Sequence, residues 1–366
     1  MPVNPIRVLV FDPSSSRRQG LQRLLEGDPA LQAVAGAGNA QQAIEAAARH
    51  HADVILLGQG IVPAEAVEAT RSIMQARATP IVVVADGSSP VDDKQAFALM
   101  EAGALAVVRD PGPATGAQHQ AGVDKLREAL RLMAEVKVVR RWASAAAASK
   151  PSSPARSARP AARRRDAARA GAQRHVELVA IGASTGGPVA LRQVLGGLPA
   201  GFPVPIVIVQ HMADGFLDGM AAWLTATCAV PTEIAGPQTQ LRPGRAYLAP
   251  DGVHMRIGPD KQLAFDAAPA INGHRPAVSA LLASVAEHHG DHAIGILLTG
   301  MGKDGAAELK VMKDAGAVTI AQDEASCVVH GMPGEAIRCG GATYVMTPDE
   351  IGAALPALVL RGKEAP

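Results

Sequence analysis

The chain has 366 residues, room for two domains of ordinary size, and its charges nearly cancel, with 35 Lys and Arg against 34 Asp and Glu. That balance, together with an aromatic content of 2%, gives neither an electrostatic nor a stacking case for nucleic acid or an acidic polymer as partner. Cys228, Cys327 and Cys339 are widely spaced without a C-x-x-C pair, which argues against a disulfide framework or a zinc site. No apolar stretch approaches the roughly 18 residues that span a bilayer, and the opening apolar run at 6–11 is too short for a signal peptide. The expectation is a cytoplasmic protein with no membrane insertion and no metal or cofactor.

In chain order, apolar, largely β-branched runs at 8–11, 54–57, 81–84 and 104–108 alternate with helical patterns at 17–25, 41–49, 64–75 and 96–101. This alternation predicts a parallel sheet with helices on both faces. A helix from 123 to about 141, with Leu126, Leu130, Met133 and Val136 at helical spacing, closes the domain. From 151 to about 172 the composition turns to Ser, Pro, Ala and Arg. Such a segment buries too little to offset its ordering entropy and reads as a solvated linker, with docking onto an acidic surface as the alternative. Strands are then predicted at 176–181, 204–209, 246–249, 294–299 and 317–321, with helices at 189–195, 277–287 and 305–314 among them. The expected fold class is α/β, with two doubly wound parallel-sheet domains at 1–141 and 175–366 and a linker at 142–174.

Open parallel sheets gather reactive groups at the carboxyl ends of their strands. Ser184 follows the strand at 176–181 within Gly182-Ala183-Ser184-Thr185-Gly186-Gly187-Pro188, whose glycines permit a sharp turn into a helix N-terminus. His211 follows the strand at 204–209, and Asp304 follows the strand at 294–299. A serine needs a base within hydrogen-bond reach and a carboxylate to orient that base, and all three residue types stand at matching topological positions. Each has a second reading taken alone. The glycine turn also suits a phosphate cradle, although neither G-x-G-x-x-G nor a P-loop Lys-Ser or Lys-Thr pair is present. His211 also suits a structural histidine, and Asp304 a cap for the helix that follows it.

These motifs resemble those of the chemotaxis protein-glutamate methylesterases, the CheB-type response regulators. The segments Gly182–Gly187, Gln210-His211-Met212, Leu248-Ala249-Pro250, His274-Arg275-Pro276, Thr299–Ala306, Gln322-Asp323 and Gly331-Met332-Pro333 recur in family order. The resemblance implies a flavodoxin-like receiver followed by a Rossmann-like esterase, with Ser184, His211 and Asp304 as the triad. It further implies backbone N–H groups near Thr185 and Met301 as oxyanion donors, and His274 and Arg275 as walls or substrate-positioning groups. The implied reaction is hydrolysis of γ-glutamyl methyl esters on a methyl-accepting chemoreceptor to glutamate and methanol, with glutamine deamidation in many members. A chemosensory histidine kinase is the further partner it implies.

The first domain departs from that pattern. A phosphorylatable receiver needs an acidic pair after its first strand, an acceptor aspartate after its third, a hydroxyl after its fourth and a lysine after its fifth. Here Asp12-Pro13, Gly58, Ala85 and Asp110 stand at those places. One carboxylate of the Mg²⁺ site is gone, nothing at Gly58 accepts a phosphoryl group, and Asp110 would repel one unless Arg109 compensates. The expectation is therefore a pseudo-receiver attached to an esterase that works without phosphorylation. The competing readings are a non-enzymatic adapter of a chemosensory array, opposed by the intact triad, and a nucleotide-binding module, opposed by the missing fingerprints.

Overall fold

The computed structural model describes residues 4–58, 63–85, 90–112, 117–136 and 175–360. The chain divides into two compact units, Met1–Ser152 and Ser153–Pro366. The predicted linker at 142–174 lies outside the described residues.

The first unit runs β1 (Ile6–Phe11), α1 (Ser15–Glu26), β2 (Leu31–Ala37), α2 (Ala40–His50), β3 (Val54–Leu57), α3 (Pro63–Ala76), β4 (Ile81–Ala85), α4 (Pro90–Ala102), β5 (Ala106–Arg109) and α5 (Ala117–Ala134). Its sheet has the order β2-β1-β3-β4-β5, parallel throughout. Every residue of β3 and β4 is buried, which is why both read as unbroken apolar runs with no alternation. β2 escapes sequence reading because it is an edge strand of Leu31-Gln32-Ala33-Val34-Ala35-Gly36-Ala37 with only its first and last residues buried. Ser14 and Asn39 cap α1 and α2 with side-chain oxygens that accept from Arg17 and Gln42 N–H. The closing helix, expected from 123 to about 141, occupies Ala117–Ala134; from 137 the prediction falls outside the described residues.

The second unit runs β6 (Leu178–Ala183), α6 (Gly187–Gly196), β7 (Ile206–Gln210), α7 (Leu217–Thr227), β8 (Thr232–Ile234), β9 (Ala246–Leu248), β10 (His254–Ile257), β11 (Leu263–Asp266), α8 (Val278–His289), β12 (Ala293–Leu297), α9 (Ala306–Asp314), β13 (Val318–Gln322), α10 (Met332–Arg338), β14 (Tyr344–Met346) and α11 (Pro348–Leu360). Seven parallel strands pair in the order β14-β13-β12-β6-β7-β9-β8, and β10 and β11 form a separate antiparallel hairpin. The α8 helix carries Val278, Leu281, Leu282 and Val285 into a core shared with Val207, Val209, Tyr247, Met255 and Leu297. With β7 on one side of β6 and β12 on the other, the chain reverses direction of winding at β6, and the crevice at the carboxyl ends of these strands is where such sheets place ligands. No helix among the described residues is long and apolar enough to cross a membrane.

Candidate active site

Strand register brings the predicted residues to neighbouring strand ends. Ala183 at the end of β6 pairs with Gln210 at the end of β7, so Ser184 and His211 leave the sheet side by side. His211 N–H donates to Ala183 O at 2.9 Å and Ser184 N–H to Thr299 O at 3.0 Å. The Gln210 amide fastens both exits, donating to Ser184 O at 2.8 Å and to His211 O at 2.7 Å. Strand β12 stops at Leu297, two residues before its predicted end. Beyond it, Thr299 N–H donates to the Gln322 side chain at 2.7 Å, and the Thr299 hydroxyl donates to Thr185 O at 2.9 Å. Gly300 must lack a side chain, because a Cβ there would come within 2.7 Å of Ser184 Cβ and 2.4 Å of Met332 Sδ. Among the described residues, no backbone acceptor is bonded to the N–H of Thr185 or of Met301.

Asp304 is 2% exposed and His211 8%. The carboxylate accepts Val278 N–H at 2.7 Å, Ser279 N–H at 3.1 Å and the Asn272 side-chain amide at 3.1 Å. It therefore caps α8, whose own N-cap residue, Ala277, has no side chain able to do so. The alternative sequence reading, a cap for the following helix, does not hold: Gly305 is the N-cap of α9 and that end has no side-chain cap. Burial raises the Asp304 pKa, but the contacts from His211, Ser279 and Asn272 outweigh it and hold the carboxyl well below the usual carboxylate range. Asp304 is ionised at neutral pH.

The His211 ring presents Nε2 to Asp304 Oδ2 at 3.0 Å. Despite that distance, neither Nε2 nor Nδ1, both buried, has a partner of hydrogen-bond geometry among the described residues. His274 stacks on this ring, with centroids 3.8 Å apart and planes inclined by 7°. Desolvation, then the neighbouring His211, lowers the His274 pKa to about 4, so its ring is neutral at neutral pH. Two of the site's polar groups, Gln210 and Asn272, received no role in the sequence reading. The Asn272-Gly273 pair that opens the turn before His274 is a turn signal in the sequence, but nothing local indicates that Asn272 reaches Asp304.

At the carboxyl end of the first sheet, Asp12 is fully buried. Its Oδ1 accepts Ser14 N–H at 2.8 Å, and its Oδ2 lies 3.5 Å from Arg17 Nε. Arg17 Nη2 in turn lies 3.4 Å from Asp110 Oδ2. Arg17 is thus a cation within ion-pair reach of both Asp12 and Asp110. A Cβ on Gly58 would stand 2.1 Å from Asp12 Oδ2, so the Asp12 carboxylate fills the space that an acceptor side chain at 58 would use. Ala85 is buried and offers no hydroxyl. Among the described residues, no three His, Cys, Asp or Glu side chains gather as a metal site requires.

The second unit is thus a parallel α/β domain of hydrolase type, with a serine, a histidine and a buried carboxylate converging at its strand ends. The family described as CheB methylesterase matches residues 179–355. The protein-glutamate methylesterase/protein-glutamine glutaminase 4 of Geobacter metallireducens is 42% identical over 97% of this chain and 99% of its own length. The protein-glutamate methylesterase/protein-glutamine glutaminase of Nitrosospira multiformis is 42% identical over 97% of both chains. The chain belongs to the CheB methylesterase family. Among solved structures, the methylesterase catalytic domain of Thermotoga maritima CheB is 38% identical, with a TM-score of 0.49, over 50% of this chain and 99% of that one.

Proposed function

We propose that this chain is a protein-glutamate methylesterase that hydrolyses γ-glutamyl methyl esters on a methyl-accepting chemoreceptor. Ser184 Oγ attacks the ester carbonyl carbon while its proton passes to His211 Nδ1. The ionised Asp304 beside Nε2 stabilises the imidazolium that results. The N–H groups of Thr185 and Met301 receive the oxyanion of the tetrahedral intermediate. As that intermediate collapses, His211 returns the proton to the departing methoxide, and methanol leaves an acyl-Ser184. Water then gives a proton to His211, attacks the acyl carbon and releases glutamate, and Ser184 recovers its proton. A glutamine side chain passes through the same acyl-enzyme with ammonia as leaving group, in keeping with the double name of the relatives. The observation that carries this reading is the buried carboxylate 3.0 Å from His211 Nε2, on a ring that leaves the sheet at the strand end beside Ser184.

The first unit is read as a pseudo-receiver that acts without phosphoryl transfer, through contact with a receptor or a chemosensory kinase. Gly58 supplies no carboxylate, and Asp12 fills the space beside it. Methanol release from methylated chemoreceptor tests the activity: the parent protein releases it and Ser184→Ala does not. A fluorophosphonate labels Ser184 and no other serine. Labelling that persists in Ser184→Ala, or parental methanol release by that variant, overturns the assignment.

A further inference from the structure

The loop between β11 and α8 brings two separate groups to the triad. Ile271 and His274 exchange backbone hydrogen bonds of 3.0 and 2.9 Å across Asn272-Gly273, a closed turn that fixes where the side chains of residues 272 and 274 stand. From this one turn Asn272 donates to Asp304 and the His274 ring lies flat on His211. His211 itself has little else to hold its plane: its Nε2 lies 3.0 Å from Asp304, but among the described residues neither ring nitrogen has a partner of hydrogen-bond geometry. A ring without a well-formed hydrogen bond is free to rock about its side-chain torsions. A second ring at 3.8 Å, nearly parallel, removes that freedom.

We infer that His274 is a positioning residue for the esterase reaction: stacked on His211, it holds the imidazole with Nε2 against Asp304 and Nδ1 open to Ser184, and its face steadies the imidazolium formed during attack. The inference rests on the triad reading above. The energetic basis is the attraction between a cation and the face of a neutral aromatic ring, which a desolvated site strengthens. Two flat rings also stack in water-poor surroundings with little loss of rotamer freedom. The role differs from contact with substrate, since the His274 face that is argued to matter is the one turned to His211.

The two roles separate experimentally through a probe that carries no polypeptide. In the full-length protein, fluorophosphonate acylation of Ser184 depends on His211 as base but on no receptor contact. His274→Ala is expected to slow that acylation about tenfold and to lower kcat for methylated chemoreceptor by a similar factor, with KM within about twofold. His274→Phe, which keeps a flat neutral ring, is expected to recover both rates to within about threefold of the parent. If the Ala variant fails to fold, the Phe variant decides: a folded His274→Phe with rates down tenfold or more overturns the inference. Unchanged acylation with a raised KM in His274→Ala also overturns it, assigning the residue to substrate binding. Absence of Ser184 labelling in the parent protein itself is a different failure, that of the triad reading.

Discussion

Asp304 serves two ends at once, and replacing it with asparagine separates them. Its Oδ2 accepts Val278 N–H and faces His211 Nε2, while its Oδ1 accepts Ser279 N–H and the Asn272 amide. An asparagine has a single acceptor oxygen, so in either orientation its NH₂ group confronts two donors. Hydrogen bonds to a charged group contribute about 1.5–3 kcal/mol each and a lost helix cap costs about 1 kcal/mol. Because these overlap at α8, Asp304→Asn is expected to fold but to lose about 2–4 kcal/mol, lowering a urea midpoint by about 1–2 M at an ordinary denaturant slope. Turnover is expected to fall on the order of 10⁴-fold, since a neutral amide neither orders the imidazole tautomer nor stabilises the imidazolium. Urea titration by circular dichroism gives the first quantity, and methanol release per folded molecule gives the second. Parental ester hydrolysis in Asp304→Asn would remove Asp304 from the triad. Lost activity at a parental midpoint would refute its capping role.

Three more outcomes follow from particular contacts. Gly58→Asp is expected to gain no phosphoryl adduct from acetyl phosphate and Mg²⁺ and to be less stable than the parent, because its Cβ meets the Asp12 carboxylate at 2.1 Å; a hydroxylamine-sensitive adduct by mass spectrometry in this variant would refute the reading that Asp12 fills the acceptor space, and one in the parent, with activation, would refute the pseudo-receiver reading. Gly300→Ala is expected to lower kcat about 10²-fold by displacing Ser184, and a kcat within twofold of the parent would contradict that close approach. On acidification, His274 takes a proton at about 4 when folded against 6.5 as a free side chain. The unfolded chain then binds more protons in that window, so stability is complete above it and falls as pH drops from 6.5 towards about 4. His274→Phe should flatten this part of a midpoint-against-pH curve, while the loss from protonating Asp304 continues below the usual carboxylate range in both proteins; identical slopes in the two would count against a native-state neutral His274.

The sequence by itself determined the architecture where the local pattern is strong. The unbroken apolar runs of β3, β4, β6 and β7 mark strands buried on both faces, and the alternation with helical periods makes them parallel. Because a parallel sheet collects its reactive groups at one end, the residues just after β6, β7 and β12 were legible as a site before any distance was known. Glycine, alanine and aspartate at the four strand ends of the first unit likewise stand apart from the receiver pattern that the family resemblance implies. Short edge strands were not legible: β8 and β14 have three residues each and β2 is mostly alanine and glycine, so none has the length or alternation that marks a strand.

Only the tertiary structure decided how the site is held. Asp304 caps a helix that begins 26 residues earlier in the chain, and Arg17 reaches Asp110 across 93 positions. His274 lies on His211, and Asp12 occupies the space beside Gly58. Such contacts carry no period and no spacing, because they are set by the order in which strands pair and by the depth to which each loop packs. A local pattern reports which face of an element is apolar. It does not report which distant side chain fills the gap, and in this protein those distant partners hold the proposed site in place.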